Sequence, residues 1–433
     1  MTAQVATSQL QKLLRDCRAR TLELVVDLTP EQLFGPRLDI VNPLIWEIGH
    51  LAWFHDYFAL RRLEGRKGVL PHADGLYNSA TVHHDDRWDL PLPSLSGTLE
   101  YMRSIQEALL ARLSGPMASE EESLLYQLVV FHEDMHAEAF TYTRQTLGYP
   151  QPKFAQYRLP ADAEAGPWPG DVEIPGGSFL LGALPSAPFA FDNEKWAHPV
   201  MVAPFRIARA PVTNAEFAAF IEDGGYRQRK YWDEEGWQWR DNAKAEHPVY
   251  WQREGESWTV RRFEQYRKLA PHQPVIHVNW YEANAWCRWA GRRLPSELEW
   301  EAAAASVPAA QGDSDEYKRR YPWGDLSPTP LHANLDGAAL GCVDVAACAA
   351  GDSAWGCRQM IGNVWEWTAS VFEPYPGFVP DVYEEYSAPW FGTRKVLRGG
   401  AWATRARLIT NTYRNFFTPD RRDIFAGFRS AAV

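Results

Sequence analysis

The 433 residues contain no apolar run approaching the ~20 residues that a bilayer-spanning helix requires, which argues against a membrane role. No basic start followed by an apolar core is present between Met1 and Leu14, so no signal peptide is expected. Cysteine is scarce: five residues, an odd number thinly spread, fit a reducing cytoplasm rather than a disulfide framework. Cys342, Cys348 and Cys357 follow no zinc spacing and are expected to be free thiols. Basic charge is outweighed by acidic, giving a net −11, which argues against a nucleic-acid partner or an anionic membrane surface. Internal repeats and low-complexity tracts are also lacking. What the chain does have is a 45% apolar composition, 20 tryptophans and a length that suits two to three domains.

Glycine and proline are absent from Glu121 to Leu147, a stretch of helix-forming composition that ends at Gly148. It contains Phe131-His132-Glu133-Asp134-Met135-His136. At ~100° per residue His132 and His136 stack on one helix face, where two imidazoles can ligate one metal ion. Two core or surface histidines would show the same spacing. The letters also spell His-Glu-x-x-His, the zinc peptidase signature, with Glu133 as general base. That reading needs a third ligand downstream, and the next histidine is His198, across a domain boundary. Upstream, His50 stands in Trp46-Glu47-Ile48-Gly49-His50-Leu51-Ala52-Trp53-Phe54, with Trp46, Trp53 and Phe54 on its own face. A histidine so placed faces a core. Beside the pair on a second helix, it makes a three-histidine site inside a bundle the better reading. Glu138 points elsewhere on the helix.

Taken in order, Val5 to Leu28 reads as an amphipathic helix and Thr29-Pro30 as a capped helix start. Pro43 opens the His50 helix, which stops at Gly65. A loop rich in Pro, Gly, His and Asp runs to Pro93, a helix spans Ser96 to Leu113, and the histidine-pair helix follows. Four helices with one long crossover describe a bundle, a common home for metal sites. Between Pro150 and Gly177 the texture changes to Pro, Gly and Ala. Beyond it are short strands, aromatic loops and two modest helices, Thr213–Glu222 and Tyr281–Ala290, with a further alanine run (302–305) read as helix. The expected organisation is α+β: a bundle over 1–155, a linker over 156–171 and a second domain over 172–433. The Trp-rich segment Tyr231 to Trp258 reads as packing rather than as a carbohydrate platform. Arg421-Arg422 reads as a solvated or salt-bridged pair.

In the C-terminal half, Ile174-Pro175-Gly176-Gly177-Ser178-Phe179, Pro211-Val212-Thr213-Asn214-Ala215-Glu216-Phe217, Arg293-Leu294-Pro295-Ser296-Glu297-Leu298-Glu299-Trp300-Glu301, Tyr321-Pro322-Trp323-Gly324-Asp325, Gly362-Asn363-Val364-Trp365-Glu366-Trp367 and Arg398-Gly399-Gly400 carry a resemblance. They resemble the formylglycine-generating-enzyme fold, an irregular α+β relative of C-type lectins. Formylglycine generators hold copper through a cysteine pair shortly after the Arg-Gly-Gly turn. Ala401 to Arg414 contains no cysteine, so that activity is not expected.

A DinB-like bundle bearing His50, His132 and His136 and fused to this module resembles the EgtB-type non-haem iron sulfoxide synthases of ergothioneine biosynthesis. The resemblance implies Fe(II) on those three histidines, dioxygen as co-substrate and hercynine as acceptor at imidazole C2, in a cytoplasmic oxidoreductase. It places the active site where bundle and lectin-like module meet. It implies Tyr383 as a proton or hydrogen donor beside the iron, with Tyr386, Asn415 and Phe416 around hercynine. An aromatic wall suits a quaternary ammonium, which is held by cation–π contacts.

Departures from the family pattern bear on the donor. Relatives using γ-glutamylcysteine hold it with two arginines of the crossover loop and a late aspartate. Here His84 stands at the first arginine, Arg87 at the second and Phe417 at the aspartate, and Met135 replaces a glutamine inside the histidine pair. A carboxylate left without its partner costs ~1–3 kcal/mol. The chain resembles most the selenoneine synthase (SenA) group, which implies a neutral selenosugar donor. Hydroxyl partners and aromatic faces would come from Asp85, Asp86, Trp88, Phe416 and Phe417. A thiol donor, cysteine or γ-glutamylcysteine, is the alternative, and a zinc peptidase the further one.

Overall fold

The computed structural model describes residues 5–115, 119–156, 158–308 and 318–433, and the chain divides into two compact units. The first comprises Met1–Ala155 with two short pieces from further along, Ser186–Phe189 and Asp381–Tyr386. Its helices are α1 (Thr7–Val25), α2 (Pro30–Phe34), α3 (Leu44–His55), α4 (Arg62–Glu64), α5 (Ala73–Tyr77), α6 (Leu95–Arg112) and α7 (Glu120–Leu147). A π-helical stretch, Asp56–Arg61, carries α3 into α4 without a break. Local chemistry sets these bounds. Thr29 and Gln32 close a reciprocal capping box ahead of Pro30 at the first position of α2. Ser119 caps α7, three glutamates in its first turn complement the helix dipole, and Gly148 at φ 66° ends it.

Every residue of α3 is buried, its polar Glu47, His50 and His55 included. α6 and α7 pack against it, and α1 packs along α7. Arg18 of α1 ties three helices together. Its Nε donates to Glu133 of α7 at 2.8 Å and its Nη1 to the Met102 carbonyl of α6 at 2.8 Å. The segment read as a loop, Gly65 to Pro93, also holds α5 and a 3-10 turn, His84–Trp88. Asp74 explains the first. It accepts bonds from Trp53 Nε1 at 2.7 Å and Arg61 Nη1 at 2.8 Å, pinning a five-residue helix too short for periodicity to reveal.

The second unit holds 156–185, 190–380 and 387–433. Its strands are β1 (Asp171–Ile174), β2 (Gly177–Leu181), β3 (His198–Val202), β4 (Phe205–Ala208), β5 (Trp251–Glu254), β6 (Ser257–Arg262), β7 (Gln265–Lys268), β8 (Arg292–Arg293), β9 (Trp365–Val371), β10 (Lys395–Arg398), β11 (Asn415–Phe417), β12 (Ala426–Gly427) and β13 (Ala431–Ala432). They form sheets ordered β1-β4-β13-β8 and β11-β10-β9-β12, a β2-β3 ribbon and a β5-β6-β7 meander. The helices are α8 (Asn214–Glu222), α9 (Glu234–Asn242), α10 (Trp280–Trp289) and α11 (Glu297–Ala305). The fold is thus α+β, helical first and strand-rich after. Helix α9 corrects the expectation of two modest helices plus the alanine run. Asp233 caps it, accepting from Gly236 N–H at 2.7 Å, but its tryptophans blur the helical period. Trp232 and Trp251 are buried, so the Trp-rich segment packs the interior there.

The motifs that carried the family resemblance meet in this unit's centre. Arg398 pairs with Glu297 and Glu301, Arg414 with Glu297, and Arg429 with Glu366, all buried. Trp300 Nε1 donates to Glu366 at 2.8 Å. Gly399 takes φ 92°, and a Cβ there would stand 2.5 Å from the Met360 carbonyl oxygen. Cys342, Cys348 and Cys357 are buried free thiols, pushed up to about 12, 12 and 11 by desolvation. Arg421 and Arg422 are salt-bridged, to Asp423 and Glu282. Among the described residues no helix is long and apolar enough to cross a membrane.

Candidate metal centre

α3 and α7 bring three imidazoles together inside the first unit. One nitrogen from each of His50, His132 and His136 lies within 4.8 Å of the other two, and His50 Nε2 is 3.4 Å from His132 Nε2. Among the described residues this is the one group of three or more His, Cys, Asp or Glu so arranged, and Glu138 is outside it. His50 Nδ1 lies 2.8 Å from the Tyr77 carbonyl oxygen, and a carbonyl can only accept. His136 Nδ1 lies 2.5 Å from Glu47 Oε1. Both Nδ1 atoms therefore carry the proton, which leaves each Nε2 lone pair facing its neighbours. Desolvation first, then repulsion from His136, holds His50 and His132 well below the ordinary imidazole range. Neutral imidazole is the form that ligates a divalent metal.

Aromatic rings wall the group. Phe54 stacks on His132 at 3.5 Å between centroids and 5°, and Trp46 and Trp53 stack on His50 at 5.1 and 5.6 Å. Tyr383 lies 5.9 Å from His132, between Phe54 and Phe58. Desolvation and then Glu385 push its phenol up, a bond with Ser79 opposing them. Tyr386 donates to Met135 Sδ at 3.6 Å, and Tyr383 and Tyr386 are 5.7 Å apart.

The loop residues split. His84 is engaged locally, its Nε2 2.7 Å from the Val41 carbonyl oxygen and its Nδ1 3.1 Å from Asp85. Arg87 lies 4.0 Å over the Trp46 ring and donates to Asn42 at 2.6 Å and to the Val82 carbonyl at 3.2 Å, while its Nε is buried without a partner. Desolvation lowers it to about 10. Asn415, Phe416 and Phe417 belong to the second unit, on β11, where Phe416 stacks on Phe372 at 4.1 Å.

Glu133 is spent elsewhere. It accepts from Arg18, from Thr21 Oγ1 at 2.7 Å and from the Cys17 thiol, with His55 Nε2 3.1 Å away. Burial raises its pKa, but Arg18 and His55 outweigh that and hold it well below the carboxylate range. A peptidase base has to face the metal; this carboxylate is locked into the α1 contact. The sequence reading missed Glu47 and Tyr77. Glu47 sits three residues before His50, one helical turn away, and was findable by that spacing. A backbone carbonyl 27 residues away leaves no side-chain signature.

Residues 156–432 match the sulfatase-modifying factor enzyme 1-like domain family, and 13–139 match the DinB superfamily. The chain is 40% identical over 432 residues to a hercynine oxygenase of Mycolicibacterium thermoresistibile, covering 98% of this chain and 94% of that one. A hercynine oxygenase of Mycobacterium tuberculosis is 40% identical over 418 residues, with 96% of each chain covered. The chain belongs to the EgtB-type hercynine oxygenase family. A formylglycine-generating enzyme of Thermomonospora curvata is 32% identical, over 61% of this chain and 93% of that one. That match covers part of this chain, whereas the hercynine oxygenases align along nearly all of it.

Proposed function

We propose that this chain is an iron- and oxygen-dependent oxidoreductase that joins a sulfur or selenium donor to the imidazole C2 of hercynine. The observation that carries the proposal is the cluster of three imidazoles whose Nδ1 atoms, at His50 and His136, are backed by acceptors behind them. His50, His132 and His136 would hold the ion, and nitrogen donors of this kind suit iron(II). When bound, ferrous iron supplies the dioxygen and one-electron chemistry that carbon–chalcogen bond formation requires. The chain's own residues do the rest. Tyr383 keeps a proton at its phenol oxygen, close to His132. Phe54, Trp46 and Trp53 keep water from the imidazoles. Tyr386, Asn415 and Phe416 are assigned to hercynine, whose trimethylammonium group an aromatic face can hold.

For the donor, a neutral selenosugar is the reading the residues favour. At the two crossover-loop positions where relatives carry arginines one guanidinium is left, Arg87, because His84 stands at the other and is engaged by Val41 and Asp85, and Phe417 stands where an aspartate would meet an ammonium. A donor with two carboxylates and an ammonium is poorly served by that set. The buried, unpartnered Arg87 Nε favours a second reading, a donor carrying a single carboxylate such as cysteine.

One experiment separates these. The protein is reconstituted anaerobically with ferrous iron, then given oxygen, hercynine and in turn a 1-selenosugar, a thiosugar, cysteine and γ-glutamylcysteine, with products read by mass spectrometry. A selenium adduct at C2 with the selenosugar is the expected result. Product from a thiol alone overturns the donor, and no adduct from any donor with an iron-loaded protein overturns the activity.

A further inference from the structure

Resting on the three-histidine reading above, we infer that Glu47 is a positioning residue for His136, and that its buried negative charge sets how tightly the site holds a divalent cation. Glu47 is 1% exposed on α3, and its Oε1 lies 2.5 Å from His136 Nδ1. It reaches across from the helix that supplies His50 to the helix that supplies the other two ligands, so one hydrogen bond fixes both the tautomer and the ring plane of His136. Burying a carboxylate is costly unless opposite charge lies near. Arg87, over the neighbouring Trp46 ring, offsets part of the charge. A dication in the imidazole cluster offsets the remainder. Charge and cation are therefore coupled, each making the other less costly to bury. His50 is backed by a neutral carbonyl and His132 Nδ1 by no partner, so the carboxylate sits behind one ligand of three.

The test uses the full-length apo protein as wild type, E47Q, E47A and E47D. Each is titrated anaerobically with ferrous and with cobalt(II) ions, the cobalt absorption bands reporting coordination, and each apo form is melted. E47Q keeps a hydrogen-bond acceptor but loses the charge. The expected result is a 10- to 100-fold weaker affinity in E47Q, at least as large a loss in E47A and partial recovery in E47D, while apo E47Q melts no lower than wild type. Wild-type affinity in E47Q overturns the role given to Glu47. So does an affinity loss that tracks a lowered apo melting temperature, which would mark a packing role. Wild-type protein that takes up neither ion overturns instead the three-histidine reading on which the inference rests.

Discussion

At the residue scale, His50, His136 and Tyr383 are defined by what stands behind them. Tyr383 shows this best. Its ring packs among Phe54, Phe58 and Tyr386, and its phenol is pushed well above the ordinary tyrosine value by desolvation and Glu385. A phenol in that condition keeps its proton throughout the neutral range, which suits the donor role proposed for it and not that of a base. Tyr383→Phe preserves the ring and removes only the hydroxyl that carries that proton. The expected outcome is unchanged ferrous stoichiometry with turnover reduced about 10²–10⁴-fold, the span typical of a lost general acid. Parallel iron assays and product measurements check it, and full turnover in the Phe variant removes Tyr383 from the chemistry. That His132 and His136 share a helix face was legible from their spacing, whereas His50, on another helix, was legible only as a histidine facing a core. Glu47 is written in the same code, one turn from His50. The Tyr77 carbonyl and the Ser79 partner of Tyr383 were not legible, since contacts set by a loop path have no spacing rule.

At the element scale the deciding pair is α3 and α5. α3 is buried on every side, Glu47, His50 and His55 included, so its period could not say what touches which face. The answer lies at Gly49. A Cβ there would stand 2.2 Å from Cε1 of Tyr77, so the tyrosine ring lies directly on the helix backbone. The same residue's carbonyl holds His50. Gly49→Ala therefore pushes α5 away and moves the acceptor that fixes the His50 proton. We expect a loss of about 1–3 kcal/mol in urea unfolding, the usual cost of overpacking, together with weaker ferrous binding. An alanine variant with wild-type stability and affinity would show that α5 yields without disturbing His50. Helix ends were legible from caps and stop signals, at Thr29 for the short α2 and at Pro43, Gly65 and Gly148 for the long helices. α5 and α9 were not, because five residues carry no period and tryptophans at Trp237 and Trp239 obscure the one that α9 has.

At the scale of the whole molecule, the sequence shows a change of texture after Gly148, and the family matches divide on either side of it. It cannot show that the compact unit around the histidines also takes in Ser186–Phe189 and Asp381–Tyr386, because composition is read along the chain and compactness is not. Each unit has its own buried core and its own buried ion pairs. Arg18–Glu133 lies in the first, and Arg398 with Glu297 and Glu301 in the second. A ligand that binds only the native state stabilises the unit that holds it, by about 2.7 kcal/mol at a hundredfold excess over its dissociation constant. All three histidines are in the first unit. Calorimetry of the apo protein and of the protein with ferrous iron under anaerobic conditions is therefore expected to show one transition raised by several degrees and the other left in place. Chelation should return the first to its apo position. A single transition that rises would mean that the units unfold as one, and no rise at all would mean that the imidazoles do not share an ion.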